Sequence, residues 1–535
     1  MSRFIFVVTI VLAVFLRFYN LSLVPPSLSL DEVSIGYNAY SILKTGVDEY
    51  GNTFPILLRA YDDWRPALYV YLVVPFLYVF GLTTFAVRLP SVILSILTVV
   101  ATYFLVLQIF KKWQHASLLG ILTSLFLAIS PWHIYLSRLG HEANAGFAFF
   151  IFSVFFFFRN NIYIFFLFFA LSFASYQSEK IFLPLFFMVL FFLFKERFLQ
   201  RKKEVILGAC IAVAILFPFV KASIAPNALI RFKATNILES NRDRFEKEAF
   251  ILADAVKDNN IFGQILHNRR VVAATIIAEG YLSHFNPFWL FANFSADRHK
   301  VPDLGLFYLW EGLSILVGIV ALVKEKINKN IKLFLLSWVL LAPLPAAITS
   351  DAPHAMRIYT LLPVPQILAG IGILQIFSFL KKYQYAKHFL FILFFLFITS
   401  SVFYFSYKYF VIFPKTQSSS FQYALSQAIP FVLEKEKKYN KIVFSNQDSL
   451  YQSYMFFLFF SRYDPHLYQK QGGTVSGGFE ETHTFDKYEF RPISYSIEKE
   501  KTLLIGNVLD FPKDKKPMMV FTNLDGKEVI KVIER

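Results

Sequence analysis

An α-helical protein that crosses the membrane many times, with a small α/β domain at its C-terminal end, is the fold class that the sequence predicts. The first reason is composition: of 535 residues 56% are hydrophobic and only 17% are charged, with 66 Phe and 28 Tyr. Ordinary soluble domains do not bury that much apolar surface, and a disordered chain contains far less of it. The single Cys210 excludes a disulfide scaffold.

The second reason is a series of apolar runs that continues to about residue 413 and matches the roughly 20 residues a helical span requires. We predict eleven spans, near residues 4–23, 86–110, 116–133, 143–158, 162–176, 181–194, 205–222, 306–323, 333–349, 358–379 and 389–411. The first has no small-residue cleavage site after it, so we interpret it as an uncleaved anchor.

The third reason is the charge of the short loops. With the N-terminus inside, the predicted cytoplasmic loops contain 16 Lys and Arg residues but only Glu196, Glu204 and Glu325 as acids. This follows the positive-inside rule and predicts an integral cell-membrane protein with a cytoplasmic N-terminus. The net charge of +16 is therefore explained by orientation, and nucleic-acid binding is not needed to account for it.

One further apolar segment, residues 66–83, would make a twelfth span. That reading reverses every later loop and puts the basic segment 195–204 outside. We therefore predict an interfacial helix in the first outer loop, in agreement with its tyrosines and Pro75.

The predicted topology divides the chain into a transmembrane module, residues 1–411, and an extracytoplasmic α/β domain, residues 412–535. The outer loops of the module are 24–85, 134–142 and 223–305. In the C-terminal domain we predict a helix at 449–461, a hairpin turn at Asp525-Gly526, and strands at 441–446, 502–507, 517–523 and 528–534. GGTVSGG (472–478) lacks the Gly-Lys-Ser/Thr of a phosphate loop and is predicted to be a flexible linker.

Asp31 and Glu32 lie a few residues beyond the first span. Adjacent carboxylates near lipid headgroups are costly when desolvated and are candidates for a site. The alternative is structural: a helix-like stretch follows at 33–43, Gly46 could end it, and acids favour a helix N-terminus.

The second outer loop, within residues 130–146, contains Arg138, His141, Glu142 and Asn144 between two very apolar spans. A turn with a purely structural role needs fewer ionisable groups, although Arg138 and Glu142 are also spaced for a local ion pair. Glu179 and Lys180 are either site residues or an interfacial pair with a snorkelling lysine. Further candidates on the predicted outer side are Arg65, Arg298, His299, His354 and Arg357.

These residue types together indicate a chemistry. Arginines at headgroup depth suit a phosphate, and a nearby carboxylate suits a general base for an attacking hydroxyl. They predict attack on a lipid-linked phosphoglycoside, with cations stabilising the departing lipid phosphate. The sequence shows no zinc-ligand spacing, no nucleotide-binding glycine motif and no serine-nucleophile elbow. The sequence indicates no cofactor and no metal-ligating residues, and it leaves a divalent cation as an open alternative.

Over roughly residues 1–375 the chain resembles the GT-C glycosyltransferases, and more narrowly the protein O-mannosyltransferases and the aminoarabinose transferases of lipid A. The likeness is carried by the segments DEVSIGYNAY, RPALYVYL, GLTTFAVRLPS, SPWHIYLSR and PHAMRIYTLLP. His141-Glu142 departs from the aminoarabinose transferases, in which an aspartate is expected.

The resemblance implies a polyprenyl-phosphate sugar donor and an inverting transfer to a hydroxyl of a protein, lipid or glycan. It implies that Asp31 activates the acceptor and that Glu142 is the second acid. Together, the resemblance and the residue types predict Asp31, Glu32 and Glu142 as the catalytic residues. They predict as donor-phosphate ligands Arg65, Arg138, Lys180 and Arg357. The predicted substrate contacts are His141, Asn144, Glu179, Arg298, His299 and His354.

Other classes of function remain as alternatives. A transporter or flippase of lipid-linked glycans would place ionisable groups at mid-membrane depth, whereas here they gather at span ends. A polysaccharide polymerase or ligase would differ from the transferase only in its acceptor. The C-terminal domain could instead serve in binding or sensing.

Overall fold

The computed structural model describes residues 2–61, 63–224, 237–292, 299–380, 383–478 and 481–535. The chain forms two compact units, each assembled from separate parts of the sequence. Unit one consists of Met1–Leu16, Leu94–Leu136 and Ala143–Val402. Unit two consists of Arg17–Ile93, Ser137–Glu142 and Phe403–Arg535. The boundary at residues 411–412 remains a prediction about separate domains.

Helices make up most of unit one. Those that lie wholly or largely within it are Ser2–Phe18, Thr84–Ile109, Ala116–Ile129, Pro131–Ser137, Glu142–Phe158, Ile162–Phe173, Glu179–Gln200, Lys202–Ile224, Ile237–Ser240, Arg242–Lys257, Ile261–Leu266, Arg269–Ser283, Pro287–Phe291, Leu309–Lys324, Lys329–Leu341, Leu344–Ala347, Val364–Phe379 and Gln384–Tyr407. Every predicted span coincides with one or two of these helices.

Five helices in the described parts of the chain are long and apolar enough to cross a bilayer. A sixth results if Ala116–Ile129 and Pro131–Ser137, which are bent by 59° at their junction, form one span. The class of multi-pass α-helical membrane protein is thereby confirmed, while the count of eleven spans remains a prediction. Leu68–Phe80, at the proposed interfacial segment, has 13 residues and an internal Pro75, fewer than a span requires.

Two helices of unit one cross in very close contact. A Cβ at Gly318 would lie 1.9 Å from the carbonyl oxygen of Leu368, and one at Gly372 would lie 1.9 Å from that of Ser314. Small residues allow helix backbones to approach in this way in membranes, where packing replaces the hydrophobic effect as the source of association. The helices Leu309–Lys324 and Val364–Phe379 are therefore held as one pair.

Unit two begins with the helix Leu30–Thr45, whose ends are explained by local sequence. Ser29 accepts a hydrogen bond from the N–H of Glu32, and the Glu32 side chain accepts one from the N–H of Ser29, which completes a capping box. Gly46 ends the helix with a φ of 74°, a conformation that favours glycine. The predicted helix with Gly46 as its end is confirmed.

A short hairpin follows this helix. Strand β1 (Leu57–Ala60) pairs antiparallel with β2 (Asp63–Pro66), so that Leu58 faces Arg65. The helix Leu68–Phe80 begins directly after β2. The hairpin thus holds Arg65, which lies in β2, just before the start of this helix.

The C-terminal part of unit two contains a six-stranded mixed sheet. Its strands are β3 (Lys441–Phe444), β4 (His483–Phe485), β5 (Tyr488–Phe490), β6 (Thr502–Asn507), β7 (Met519–Thr522) and β8 (Glu528–Glu534), in the order β4-β5-β3-β6-β8-β7. β3 is parallel to β5 and β6, and the other pairs are antiparallel. The helices beside it are Phe413–Thr416, Tyr423–Lys435, Ser453–Phe460 and Pro465–Lys470. The predicted α/β character of this region, including the hairpin at Asp525-Gly526, is confirmed.

Candidate functional site

The first-loop carboxylate Asp31 lies in the first turn of its helix and keeps half of its side chain exposed (50%). A guanidinium nitrogen of Arg65 approaches one Asp31 oxygen to 3.1 Å, while the Arg65 side chain is only 4% exposed. The two residues are 34 positions apart in sequence, and the β1–β2 hairpin brings them together. An accessible carboxylate held by a buried cation is well placed to take a proton from a bound hydroxyl.

His141 lies between two carboxylates. Its Nε2 is 3.8 Å from Asp31, and its Nδ1 is 3.5 Å from Glu142. Glu142 is the first residue of the helix Glu142–Phe158 and is almost entirely buried. The structure therefore brings Asp31, Arg65, His141 and Glu142 into one cluster, which we name the carboxylate cluster.

The charge on Arg65 is maintained by its neighbours. Burial alone would lower the pKa of its guanidinium, but the carboxylates of Asp31, Glu142 and Asp63 raise it above the ordinary value. The cation is therefore permanent, and acids at three positions of unit two favour its charged form.

Glu32, next to Asp31 in sequence, has a different environment. It is fully buried and forms a two-point ion pair with Arg88, at 2.8 and 3.2 Å. The N–H of Gly140 donates to the same carboxylate at 2.8 Å, in addition to the capping bond from Ser29. The structural alternative, an acid at a helix N-terminus, thus describes Glu32 well.

Arg88 is a site residue that the sequence reasoning missed. Besides pairing with Glu32, it donates to the carbonyl groups of Leu21, Pro25 and Ser27 and so holds three positions of the stretch 21–27. A signal existed: an arginine inside the apolar helix Thr84–Ile109 is expensive there and is a candidate for a specific partner.

Arg138 is fully buried, where it contacts backbone oxygens and aromatic rings. It donates to the carbonyls of Arg17, Asn20 and Val24, and its guanidinium lies 5.0 Å from the Phe410 ring centroid. These contacts support a structural role in joining the end of the first helix to this loop. Phosphate binding by Arg138 remains a prediction.

A second group of candidates lies in unit one, and we name His284, His299, His354 and Arg357 the cationic cluster. The rings of His299 and His354 stack with centroids 4.3 Å apart, and the His354 N–H donates to His284 Nε2 at 3.1 Å. Arg357 donates to Thr349 at 2.8 Å and to the carbonyl of Ser350. The sequence analysis named three of the four but missed His284, which lies 70 residues from His354.

The groups of this cluster disfavour one another's protonated forms. The pKa of His354 is lowered well below its usual range, first by burial and then by His299, Arg357 and His284. Burial and Arg357 likewise lower the pKa of His284, although its bonds to Gly280 and Tyr281 oppose this. Groups that repel one another's protons would all gain from a bound anion.

Next to the cationic cluster lies an apolar groove of about 680 Å³. Its lining includes His284, Phe288, Phe291, Leu316, Leu361 and Leu368. The groove therefore has a polar end at His284 and otherwise a hydrocarbon surface.

Three further candidates, Asn144, Glu179 and Lys180, belong to unit one. Asn144 accepts a hydrogen bond from the Tyr359 hydroxyl at 3.2 Å. Glu179 is buried against Gly146, where a Cβ would lie 2.7 Å from its carboxylate, and Lys180 is half-buried beside it. Arg298 lies outside the described residues. Among the residues that are described, no three His, Cys, Asp or Glu side chains are grouped to hold a metal ion.

The fold agrees with that of known membrane glycosyltransferases. ArnT from Cupriavidus metallidurans, solved with undecaprenyl phosphate bound, matches with a TM-score of 0.53 at 12% identity, over 98% of this chain and 97% of its own. The archaeal oligosaccharyltransferase AglB from Archaeoglobus fulgidus, in complex with an inhibitory peptide and a dolichol-phosphate, matches with a TM-score of 0.51 at 13% identity. That match covers 86% of this chain, which spans only 63% of the AglB chain. The chain therefore has the GT-C fold.

A family model narrows the similarity. Residues 64–222 match the model of the dolichyl-phosphate-mannose-protein mannosyltransferases. A search of curated proteins gives no significant match. The predicted likeness to protein mannosyltransferases and to ArnT is thereby confirmed at the level of the fold and of this segment.

Proposed function

We propose that the protein is a membrane glycosyltransferase that moves a sugar from a polyprenyl-phosphate donor to an acceptor hydroxyl on the outer face, with inversion at the sugar carbon. The observation that carries the proposal is the half-exposed Asp31 held by the buried Arg65 at 3.1 Å. The GT-C fold and the family match over residues 64–222 support the same class of reaction.

The proposed reaction is a single displacement. Asp31 accepts the proton of the acceptor hydroxyl while the hydroxyl oxygen attacks the anomeric carbon. The bond from that carbon to the phosphate oxygen breaks. The lipid phosphate leaves with the electron pair, and nearby cations stabilise its charge. His141, between Asp31 and Glu142, orients the two carboxylates and can receive the proton afterwards.

The donor is assigned from the chemistry of unit one. A polyprenyl phosphate combines a long hydrocarbon tail with an anionic head. The apolar groove suits the hydrocarbon tail, and the cationic cluster suits the phosphate. The two similar structures were solved with dolichol-phosphate and undecaprenyl phosphate bound, in agreement with this assignment.

Glu32 and Arg88 receive a positioning role in this proposal. Their pair fixes the first turn of the helix Leu30–Thr45, and therefore the direction in which Asp31 leaves it. The contacts of Glu32 favour this role over direct contact with substrate.

The test is transfer from defined polyprenyl-phosphate sugars by the purified full chain in lipid, comparing wild type with Asp31→Asn. We expect a loss of about 100-fold or more, because general-base catalysis contributes roughly 10²–10⁴. Asp464→Asn is the matched control: Asp464 is an exposed N-cap in the same unit, and Asn is an equally good N-cap.

Full transfer by Asp31→Asn would contradict the base assignment. Wild-type protein that moves an intact lipid-linked glycan across the bilayer without breaking the sugar-phosphate bond would favour the flippase alternative. Transfer to a growing glycan in preference to protein or lipid would identify the polymerase or ligase variant.

A further inference from the structure

The segment Gly473–Gly477, which we name the glycine strap, is packed against the first loop and is not the flexible linker that its composition predicts. At Gly473 the φ is +62°, and a Cβ there would lie 2.7 Å from the carbonyl oxygen of Glu49. The N–H of Thr474 donates to that carbonyl at 2.9 Å, and its hydroxyl donates to the Glu49 carboxylate at 2.8 Å. One end of the strap is therefore fixed by three contacts with a single residue.

The other end of the strap lies on the turn of the β1–β2 hairpin. A Cβ at Gly477 would lie 2.1 Å from the carbonyl carbon and oxygen of Tyr61, so only glycine fits against that backbone. Arg59 donates to the carbonyl of Val475 at 3.4 Å. From the opposite side, the Gln452 amide donates to the carbonyls of Gly477 and Gly478 at 3.1 and 3.0 Å.

Tyr61 connects this turn to the carboxylate cluster. Its hydroxyl donates to the carbonyl of Leu30 at 2.8 Å, one residue before Asp31. Four residues beyond Tyr61 in the same hairpin is Arg65, which pairs with Asp31. The strap thus contacts the β1–β2 hairpin, which carries Arg65, the cation beside the proposed base Asp31.

We infer that the glycine strap is a positioning element of the Asp31–Arg65 pair, through which the C-terminal part of the chain sets the rate of a reaction whose substrates it does not touch. The inference rests on the proposed function in taking Asp31 as the base. The strap contacts the hairpin at its turn, through Tyr61 and Arg59. A displacement of the Tyr61 turn moves both the Leu30 carbonyl and Arg65, and a shift of about 1 Å in a reacting group can cost roughly 100-fold in rate.

The chain offers a matched pair of variants to test this. Gly477→Ala places a methyl group on the Tyr61 backbone, whereas Gly478→Ala meets only the side chain of Glu481, which can move away. We expect Gly477→Ala to lower kcat/KM for the polyprenyl-phosphate sugar by roughly 100-fold, with the loss in kcat, because the Asp31–Arg65 pair is displaced. Gly478→Ala should behave as wild type.

A second measurement separates positioning from unfolding. Hydrogen exchange of residues 57–66, followed by mass spectrometry on the full chain, should be faster in Gly477→Ala than in Gly478→Ala, with protection of the strands β3 and β6 unchanged. If Gly477→Ala unfolds the C-terminal sheet, Tyr61→Phe takes its place. This variant removes the hydroxyl bond to Leu30 and should lower kcat about 5- to 10-fold, the cost of one hydrogen bond.

Equal transfer rates for the two glycine variants, or faster exchange in the hairpin without loss of transfer, would overturn the inference. So would Tyr61→Phe with wild-type kcat. A wild-type chain that transfers no sugar contradicts the proposed function instead, and hydrogen exchange still reports whether the strap holds the hairpin.

Discussion

The two units each contain a cluster of ionisable residues, and the clusters differ in the sign of the charges that meet. In unit two, Asp31 lies beside Arg65, Glu32 beside Arg88, and Glu142 beside His141. In unit one, His354 meets His299, His284 and Arg357, and all three lower its pKa. In the first cluster, acidic side chains lie beside basic ones. In the second, imidazoles and a guanidinium disfavour one another's protonated forms, and a bound phosphate would favour those forms.

The largest expected effect comes from breaking the most buried pair. Arg88→Met leaves the Glu32 carboxylate, with 0% exposure, without its cation. Removing one partner of a buried ion pair costs about 3–5 kcal/mol. We expect a large drop in Tm, measured by thermal denaturation in detergent.

A replacement of both partners, Glu32→Gln with Arg88→Met, should recover part of that loss, because no unpaired charge remains buried. If the single variant unfolds at the wild-type temperature, the pair does not stabilise the first loop.

A smaller effect is expected from Glu49, an acid of unit two whose hydrogen-bond donors are the neutral side chains of Asn38, Thr474 and Tyr454. Burial raises its pKa to about 7, and Asp48 adds to the shift, while its hydrogen bonds oppose it. The folded state therefore holds the proton more tightly than the unfolded state. This contribution to stability is complete below the ordinary Glu pKa and is lost as the pH rises through about 7.

From that shift we expect wild-type protein to lose about 3 kcal/mol of unfolding free energy between pH 4.5 and pH 8 through this group. Glu49→Gln, which keeps the shape but cannot ionise, should remove this part of the pH dependence. Denaturation at pH 5 and pH 8 checks it, and an unchanged slope in the variant would contradict the assignment.

The cationic cluster is tested by Arg357→Met. A hydrogen bond to a charged group is worth about 1.5–3 kcal/mol, so affinity for polyprenyl phosphate should fall roughly 10- to 100-fold. The effect should appear in the donor KM, whereas Asp31→Asn should act on kcat. Arg270→Met, an exposed arginine of the same unit, is the control. A kcat defect with unchanged donor affinity would contradict the assignment of Arg357 to donor binding.

The smallest effect is expected at a surface ion pair of unit one. Arg244 and Glu279 form a two-point pair at 2.6 and 3.0 Å, but their side chains are largely solvated. Exposed pairs contribute less than about 1 kcal/mol. Arg244→Met should shift Tm only slightly, and a drop comparable to that of Arg88→Met would show that burial does not separate the two pairs.

Most of the helices could be predicted from the sequence because their signals are local. Apolar runs mark the membrane helices, and Gly46 marks the end of the helix that carries Asp31, although that helix begins at Leu30, before the predicted residue 33. The alternation of strands and turns after residue 440 was sufficient for β3, β6, β7 and β8 of the C-terminal sheet, but not for β4 and β5.

The contacts of the site were less accessible, because they join distant positions. Arg88 meets Glu32 across 56 residues, and His284 meets His354 across 70. The glycine strap was misinterpreted for a related reason. Glycines that permit a chain to bend freely and glycines that permit a close backbone contact look alike in sequence, and only the partner, here Tyr61, distinguishes them.

The place of Glu32 in the capping box of the helix Leu30–Thr45 bears on how mutational scans of this motif should be interpreted. Two neighbouring acids of one motif affect different quantities under the proposed function. Substitution of Asp31 raises the activation free energy of transfer, whereas substitution of Glu32 lowers the fraction of folded protein. A double substitution mixes the two quantities and would overstate the part played by chemistry. Activity lost at position 32 becomes interpretable only after division by the fraction of molecules that are correctly folded.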